Sequence, residues 1–563
     1  MFSTILLFLA NLVRRVRNGW RTLLRRRVAW VRIELDGALP EFAATPRWWQ
    51  RRFLGMRQPT SLQRLRRQLQ RIAADPNTRG VVLKINGLAG GWATLQSLRD
   101  ELGRLRASGK RVVAYLISAD MAGYYTACAA DQIIVAPPVM LNTLGVRSEV
   151  QFLKDALAKF GISAEYTAVS AYKSAGEPFV RNNISDENRA QLERLLDGRF
   201  NAFVATVAAA RSLPEAEVRA AIDAAPLPAH EAQARGLVDA VLYEDELAAF
   251  LDPEATDAKQ QHTLLQDWDA ATRALRLPLL RRHRQMIAVV SIEGTIAPGH
   301  SRNLPLPIPL LGGSQAGAES IIQALRQAEQ TRRVAGVVLY VNSPGGDVLA
   351  SDVIWREVQR LGQKKPVVVA MGDVAASGGY YVAAPASAIV AQPGTLTGSI
   401  GVFSLRPVVA GLLERAEINT VVLSRGAHSG LLSISQPPTD AERAAQHAVV
   451  FHYYAEFKQR VVAGRNISNE QLEPIAGGRV WLGNEAAERG LVDTLGGLPE
   501  AVLRAQQLAQ LAPDATAPLL LMRGGRTTLP PQPFPPGPNE LAAALHDVLQ
   551  PRVLALLPFA ELV

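Results

Sequence analysis

The sequence predicts a protein of the α/β class that is built from two copies of one domain. Two observations predict this class. Apolar segments that end in glycine recur in the same order in both halves of the chain, and short β-rich runs alternate with helical patterns within each half. At 563 residues, of which 48% are apolar and 20% charged, the chain can form more than one hydrophobic core.

The duplication rests on four pairs of segments that keep their order along the chain. GVVLKINGLAGG, from Gly80, returns as GVVLYVNSPGG from Gly336, and the run that starts at Val112 returns from Val367 at a shift of 255. The other two pairs are VRIELDG with VVSIEGT, from Val31 and Val289, and ARGLVD with ERGLVD, from Ala234 and Glu488. Chance similarity of apolar strands does not explain four matches in register.

The second copy illustrates the alternation of elements. Short strands separated by helices of about three turns are typical of βαβ units in a mainly parallel sheet. The predicted strands are Ile287–Glu293, Gly336–Asn342, Pro366–Met371 and Ala388–Ala391, and the predicted helices are Gly317–Ala328, Val348–Gln359 and Ser377–Ala384.

These patterns divide the chain into five predicted regions. They are a basic amphipathic segment (1–27), a first repeat (28–250), a linker (251–284), a second repeat (285–510), and a Pro-rich spacer with a C-terminal tail (511–563). The single cysteine, Cys128, excludes a disulfide framework and a Cys-based zinc site.

The N-terminal segment carries much of the net charge of +10. Its arginines alternate with apolar residues at helical spacing, namely Ile5, Leu9, Leu12, Val16, Trp20 and Leu23. This pattern favours a membrane surface over nucleic acid as the partner. The apolar run 2–13 is too short to span a bilayer, which needs about 20 residues. We therefore expect an interfacial anchor, with an amphipathic docking helix as the alternative.

The segment DVAASGGYY, from Asp373, follows a predicted strand and contains the candidate nucleophile, Ser377. A serine at the start of a helix lies beside free backbone N–H groups, which can stabilise an oxyanion. The alternative is an ordinary helix N-cap. The turn NSPGGDV follows the neighbouring strand, and its glycines let the backbone approach a substrate carbonyl. We predict Gly378 and either Gly345 or Gly346 as oxyanion donors.

A nucleophilic serine needs a base, and the histidines do not offer one. None of them lies in a strand-and-turn motif that would position a triad; they are His230, His262, His283, His300, His428, His447, His452 and His546.

The duplication indicates a lysine instead. The counterpart of Ser377 in the first copy is Ala122, and the counterpart of His428 in the second copy is Lys173. Each copy thus holds what the other lacks, as expected if one composite site was retained. A lysine acts as a base near neutral pH only if its pKa falls well below about 10.4, which burial can achieve. An exposed surface lysine is the alternative.

Together these motifs resemble the signal peptide peptidase A family in its long, internally duplicated form, a group of S49-type serine peptidases within the ClpP/crotonase superfamily. The resemblance covers about 28–510 and is carried by NSPGGDV, MGDVAASGGYY, LTGSIGV and YKSAGEPF. It implies a tandem duplication of a ClpP/crotonase-like domain.

The resemblance also implies roles. Ser377 is the implied nucleophile, Lys173 the base, and Ser399 of LTGSIGV a second serine that orients the lysine, unless it is only a turn residue. The oxyanion donors are Gly378 and the glycines Gly345 and Gly346. The implied activity is endopeptidase cleavage of hydrophobic peptides, such as cleaved signal peptides, through an acyl-enzyme. A ring-shaped homotetramer is implied, and no metal or cofactor.

The sequence departs from the family at its N-terminus. Members from Gram-negative bacteria usually carry a clear transmembrane anchor, whereas this chain has the short apolar and basic segment. We expect peripheral or monotopic association with a bacterial inner membrane, on a side that the sequence does not specify.

Two other functions stay open. The first is a ClpP-type or crotonase-type enzyme of different specificity, which for ClpP chemistry would need a histidine such as His428 near Ser377. The second is a catalytically inactive peptide-binding scaffold, which the complementary retention of serine and lysine disfavours.

Overall fold

The computed structural model describes residues 2–23, 28–43, 52–53, 59–254, 264–281, 284–308, 312–524 and 552–556. In the first half the strands are β1 Trp30–Ala38, β2 Gly80–Ala89, β3 Arg111–Leu116, β4 Ala119–Asp120, β5 Gln132–Val135, β6 Met140–Asn142, β7 Ser163–Ala168, β8 Leu227–Pro228, β9 Ala240–Val241 and β10 Leu265–Asp267. In the second half they are β11 Met286–Glu293, β12 Thr295–Ala297, β13 Arg302–Ile308, β14 Gly312–Gly317, β15 Val334–Ser343, β16 Gly345–Asp347, β17 Val367–Ala376, β18 Ala388–Ala391, β19 Leu396–Gly398, β20 Phe403–Val408, β21 Val480–Leu482, β22 Thr494–Leu495, β23 Leu520–Met522 and β24 Arg552–Leu556.

The α-helices of the first half are Phe2–Leu23, Leu62–Ala73, Trp92–Ala107, Met121–Ala127, Lys154–Lys159, Glu177–Val180, Asp186–Arg211, Glu215–Asp223, Ala229–Ala234, Leu247–Leu251 and Trp268–Ala271. Those of the second half are Ala318–Gln330, Val348–Gly362, Gly378–Ala383, Ala410–Arg415, Asp440–Arg465, Asn469–Leu472, Gly483–Glu488 and Leu498–Leu508. Glu244–Glu246 and Glu473–Ile475 are 3₁₀ turns.

The chain forms two compact units whose limits differ from those of the sequence repeats. One unit consists mainly of Met1–Arg147 and Asp197–His283, and the other mainly of Ser148–Leu196 and Arg284–Leu562. The second unit therefore contains a segment of the predicted first repeat, and Lys173 lies in that segment.

The first unit is built on a parallel sheet with the strand order β10-β1-β2-β3-β5-β9. Its central strands are rich in Val, Ile and Leu and are buried along their length; Val81, Val82, Leu83 and Ile85 of β2 are fully buried. A continuous apolar run of this kind, without polar alternation, is typical of a strand covered on both faces. The edge strand β10 lies within the region predicted as a linker.

The main sheet of the second unit repeats this order. β23, β11, β15 and β17 follow one another, and β18 and then β22 continue from β17, all in parallel. β19 pairs with the far end of β17, and β21 pairs antiparallel with β19. The two units share one strand order around separate cores, which explains why the sequence markers recur in sequence order.

A second sheet in this unit brings together strands that are distant in sequence. Its order is β13-β14-β12-β16-β24-β20-β7. β7 belongs to the first sequence repeat and pairs antiparallel with β20 of the second, from Phe403 opposite Ala168 to Val408 opposite Ser163. This pairing carries the chain after β7, and Lys173 with it, toward the turn that precedes β20.

The predicted amphipathic segment is a helix, Phe2–Leu23. Some of its polar side chains face the protein, whereas Arg15 and Arg17 are exposed. The Asn11 and Asn18 amides each exchange two hydrogen bonds, of 2.8 to 3.0 Å, with the backbones of Leu280 and Leu277 respectively. Apolar side chains on the same helix are exposed instead, among them Phe8, Val13 and Trp20. Within the part of the chain that the structure describes, no helix has the length and apolar character needed to cross a membrane.

Candidate active site

Lys173, Ser377 and Ser399 meet in the interior of the second unit. Lys173 Nζ lies 2.7 Å from Ser377 Oγ, 2.9 Å from Ser399 Oγ and 3.1 Å from the Ser399 carbonyl oxygen. All three side chains are fully buried. The three polar residues predicted for chemistry therefore form one hydrogen-bonded cluster, although 204 residues separate Lys173 from Ser377.

Burial governs the charge state of Lys173. Desolvation holds the pKa of its amine well below the ordinary value of 10.5. Its hydrogen-bond neighbours are hydroxyls and a carbonyl, and no carboxylate among the described residues forms an ion pair with it. Since no anion stabilises the ammonium form, the neutral amine is favoured, and a neutral amine can accept a proton.

Ser377 occupies a strained turn between β17 and the helix Gly378–Ala383. Its backbone has φ 55° and ψ −115°, in the left-handed half of conformational space that non-glycine residues rarely occupy. Such a conformation costs about 1–3 kcal/mol and is found mainly at functional sites. The side chain makes no capping hydrogen bond to the helix. The N-cap alternative therefore does not describe Ser377, because its Oγ faces Lys173.

The turn that carries Lys173 is held by its own neighbours. The hydroxyl of Tyr166, on β7, donates a hydrogen bond to the Lys173 carbonyl, and the Tyr166 ring lies against Gly176. Glu177 is buried just beyond, where it accepts hydrogen bonds from Ser185 and the Asn188 amide. These contacts anchor the segment on both sides of Lys173, from which Nζ reaches the two serines.

Ser399 also lies in a left-handed conformation, with φ 50°. Its N–H donates to the Arg479 carbonyl at 2.7 Å, and the carbonyl of the preceding residue, Gly398, accepts from Ser377 N–H at 2.8 Å. The backbones of the two serines are thus joined directly. Ser399 is more than a turn residue in geometric terms, because both its hydroxyl and its carbonyl contact the amine.

The three predicted oxyanion glycines lie together. A Cβ on Gly378 would lie 3.0 Å from the Gly346 nitrogen, so the two glycine turns are in contact. The Gly345 N–H is already donated to Ser343 Oγ, at 3.1 Å. Of the two backbone nitrogens, the one of Gly346 is the one that lies beside Gly378. A side chain on Gly346 would overlap the Ile296 carbonyl, which explains the need for glycine there.

A third turn, Gly477–Gly478, supports the cluster, and sequence reasoning missed it. Gly478 has φ 88°, and a Cβ on it would lie 2.7 Å from the Lys173 Cβ. Its N–H donates to the Ile400 carbonyl at 2.8 Å, and Ser170 Oγ donates to the Gly477 carbonyl. The turn therefore contacts both the lysine segment and the Ser399 segment.

The duplication contained a signal for this turn. When the copies are aligned on ARGLVD and ERGLVD, Asp223 and Ala224 correspond to Gly477 and Gly478. The glycine pair is thus present only in the copy that carries Ser377 and Ser399.

The structure corrects one correspondence. Tyr124 and Tyr380 are equivalent, because their hydroxyls donate to the carbonyls of Leu237 and Leu491 in the two copies. This equivalence sets the local shift at 256, so Met121 rather than Ala122 is the counterpart of Ser377. The first copy still lacks an equivalent of Ser377, because neither Met121 nor Ala122 carries a hydroxyl group.

His428, the alternative base, is an exposed residue. Ser377 Oγ has Lys173 Nζ and, at 3.4 Å, the Gly401 carbonyl as its hydrogen-bond neighbours, and neither is an imidazole. No group of three or more His, Cys, Asp or Glu residues in the described ranges is arranged to hold a metal ion.

Repeated parallel α/β units, with a buried serine and amine at the carboxyl end of one strand, define a serine hydrolase of ClpP-like fold. The comparisons agree with this class. The model of peptidase family S49 matches residues 104–256 and 359–512, and the Clp protease model matches 312–392.

Curated relatives match most of the chain. A chloroplastic serine protease SPPA of Arabidopsis thaliana is 32% identical over 84% of this chain and 69% of its own length. Protease 4 of Haemophilus influenzae is 32% identical over 79% and 72%, and Protease 4 of Salmonella typhi is 30% identical over 78% and 70%. This chain belongs to peptidase family S49 and is a serine peptidase with a duplicated ClpP-like domain.

Proposed function

We propose that this peptidase is an endopeptidase with a serine–lysine dyad, in which Ser377 is the nucleophile and Lys173 the general base. The observation that carries the proposal is the 2.7 Å hydrogen bond between Lys173 Nζ and Ser377 Oγ, in a fully buried position where the pKa of the lysine is lowered. A weakly basic amine at this distance can take the serine proton near neutral pH.

The reaction proceeds in two halves. Ser377 Oγ attacks the peptide carbonyl carbon while its proton moves to Lys173 Nζ, and the resulting ammonium then protonates the leaving amine as the C–N bond breaks. The product is an ester on Ser377. Water attacks this ester, gives a proton to Lys173, and displaces Ser377 Oγ, which recovers its proton.

Ser399 and the glycines support these steps. Ser399 accepts hydrogen bonds from Lys173 at its hydroxyl and its carbonyl, which directs the lone pair of a neutral amine toward Ser377. The N–H groups of Gly378 and Gly346 are the proposed donors to the oxyanion, with Gly345 as the second choice.

We propose hydrophobic peptides, such as cleaved signal peptides, as the substrate class. The resemblance to the signal peptide peptidase A family supports this choice. The chain also presents two strands beside the cluster, β16 at Gly345 and β20 shortly after Ser399, whose backbones suit an extended peptide of tolerant sequence.

We further propose that the protein associates with a membrane surface, as at a bacterial inner membrane, and works as a homo-oligomer, for which the resemblance implies a tetramer. The support for the membrane is the N-terminal helix, which directs Asn11 and Asn18 inward and leaves Phe8, Val13 and Trp20 exposed. An exposed apolar stripe on a helix rich in arginine suits anionic lipid.

A fluorophosphonate probe tests the nucleophile. We expect covalent labelling of the parent protein and none of Ser377→Ala, while Ser108→Ala, which changes an exposed serine of the first unit, retains the label. Labelling that persists in Ser377→Ala would contradict the assignment. A parent that neither reacts with the probe nor cleaves peptides would favour the inactive scaffold.

A further inference from the structure

The C-terminal strand β24 lies between two strands of the candidate site. Its backbone runs antiparallel to β16, with Leu556 opposite Gly345 and Leu554 opposite Asp347. On its other side it runs antiparallel to β20, with Leu554 opposite Phe403. One short segment of chain therefore joins β16 to β20 in the sheet.

The two flanking strands are parts of the active-site walls. β16 contains Gly345 and Gly346, which contact Gly378 beside the nucleophile. β20 follows the turn that contains Ser399, whose hydroxyl lies 2.9 Å from Lys173 Nζ. The slot between β16 and β20 therefore opens beside Ser377.

An extended peptide fits this slot for a general reason. Each flanking strand has backbone N–H and C=O groups directed into the gap, and a strand inserted between them satisfies both rows. Backbone pairing accepts many sequences, which a peptidase acting on varied peptides requires. The segment RVLAL, 552–556, is mainly apolar, like the substrates proposed above.

We propose that the slot between β16 and β20 binds extended hydrophobic peptides antiparallel to both strands, and that residues 552–556 are its intramolecular occupant. This inference rests on the proposed function, because the slot is a substrate site only if Ser377 is the nucleophile. Substrate and β24 compete for the same backbone groups.

Competition of this kind has a defined kinetic signature. If β24 fills the slot for part of the time, only the remaining fraction of molecules can bind substrate, and the apparent affinity falls by that fraction. The chemical step is unchanged once substrate is bound. Freeing the slot therefore lowers KM and leaves kcat as it was.

The test uses Leu554→Pro in the full-length chain. Proline has no N–H group and is excluded from the centre of a paired strand, so β24 should leave the slot. We expect KM for a quenched fluorescent hydrophobic peptide to fall at least about threefold, with kcat unchanged. Gln532→Pro, within the Pro-rich stretch of the same tail, is the matched control and should behave like the parent.

A synthetic RVLAL peptide completes the test. It should inhibit Leu554→Pro competitively, and the same peptide with N-methylated backbone amides should not. Equal KM values in the parent and Leu554→Pro, together with no inhibition by RVLAL, would overturn this inference while leaving the dyad intact. Failure of the dyad is recognised separately, by a parent that neither hydrolyses peptide nor reacts with the fluorophosphonate.

Discussion

The two repeats have the same sheet but different capacities for chemistry. The strand order β10-β1-β2-β3-β5-β9 in the first unit matches β23-β11-β15-β17-β18-β22 in the second. At the end of the third central strand, however, the first repeat has Met121 where the second has Ser377. In the lysine position the first repeat has Lys173, whereas the second has His428 at a shift of 255 or Ser429 at a shift of 256, and neither is a lysine.

This difference shows that the fold and the site are under separate constraints. The sheet is stabilised by apolar strands, most of whose Val, Ile and Leu side chains are fully buried in both units. The side chains that we propose for the chemistry lie in turns, outside the apolar strands, where substitution leaves the core unchanged. One repeat can therefore lack the proposed nucleophile and the other the lysine, provided that one complete pair remains.

The largest expected effect comes from removing the amine that only the first repeat supplies. Lys173→Ala should lower kcat/KM by about 10⁴-fold or more, because loss of one member disables a covalent catalytic unit. Lys173→Arg should fail as well, since arginine stays protonated. Peptide hydrolysis measures both, with Lys154→Ala, at an exposed lysine, as the control. If the activity of Lys173→Ala stayed within tenfold of that of the parent, the idea that the two repeats supply the two halves of one site would be wrong.

A smaller effect is expected at the glycine turn that only the second repeat has. In Gly478→Ala the new Cβ would lie 2.7 Å from the Lys173 Cβ, so the amine must shift. We expect kcat to fall by about 10–100-fold with little change in KM, as for a small misplacement of a reacting group. Gly426→Ala is the matched control, because Gly426 also has a left-handed φ, 94°, but has open space at its Cβ position. Equal losses of kcat in the two variants would show that backbone strain alone, and not the contact with Lys173, causes the effect.

Ser399→Ala should have an effect of about tenfold on kcat, the usual scale for one hydrogen bond to an ionisable group. The Ser399 carbonyl still accepts from Lys173 in this variant, which limits the loss. Steady-state kinetics measure the change. An effect as large as that of Lys173→Ala would instead assign Ser399 a direct part in proton transfer.

The pH dependence of activity should reflect the buried amine. The reaction needs neutral Lys173, which is present above its folded-state pKa, and desolvation lowers that pKa well below 10.5. We therefore expect kcat/KM to rise with pH and to level off well below pH 10.5. A profile that still rises around pH 10.5 would contradict a desolvated base.

Stability should change with pH through the same group. The unfolded chain holds the lysine proton up to a pKa of about 10.4, whereas the folded protein releases it at lower pH. Between these two values the unfolded state binds more protons, so the free energy of unfolding should rise with pH, by at most about 1.4 kcal/mol per pH unit. Lys173→Met should lose this rise, as denaturant titrations at several pH values would reveal.

The smallest effect is expected when a serine is returned to the first repeat. Met121→Ser, in a Ser377→Ala background, should restore neither hydrolysis nor fluorophosphonate labelling, because the second repeat has His428 and Ser429, and no lysine, around the position that corresponds to Lys173. Ala122→Ser is the companion variant and should be equally inactive. Restored labelling at either position would show that the first repeat keeps a functional site of its own.

Much of this arrangement could be predicted from the sequence. The duplication, the alternation of strands and helices, and the candidate residues Ser377, Lys173 and Gly378 all follow from patterns within a few residues, combined with the comparison of the copies. The predicted end of one strand was wrong, because β17 continues to Ala376, beyond the predicted end at Met371. Small residues such as Gly372 and Ala375 obscured the strand pattern that carries the chain to Ser377.

The predicted counterpart of Ser377 in the first copy was wrong by one residue. A shift of 255 placed Ala122 opposite Ser377, whereas the shared tyrosine hydrogen bonds of Tyr124 and Tyr380 require 256. A one-residue difference in loop length does not change the composition or the hydrophobic pattern. Only equivalent contacts in the folded protein fix the correspondence.

The sequence by itself determined the class of protein, the duplication, and which residue types each copy retains, because these depend on local patterns and on order along the chain. The tertiary structure alone decided that Lys173 is fully buried, that Ser377 takes a left-handed conformation, that the Gly346 nitrogen lies beside Gly378, and that Gly478 lies against the lysine. The physical reason is that desolvation and close backbone approach depend on every group that surrounds a side chain, and here those groups come from segments some hundreds of residues apart.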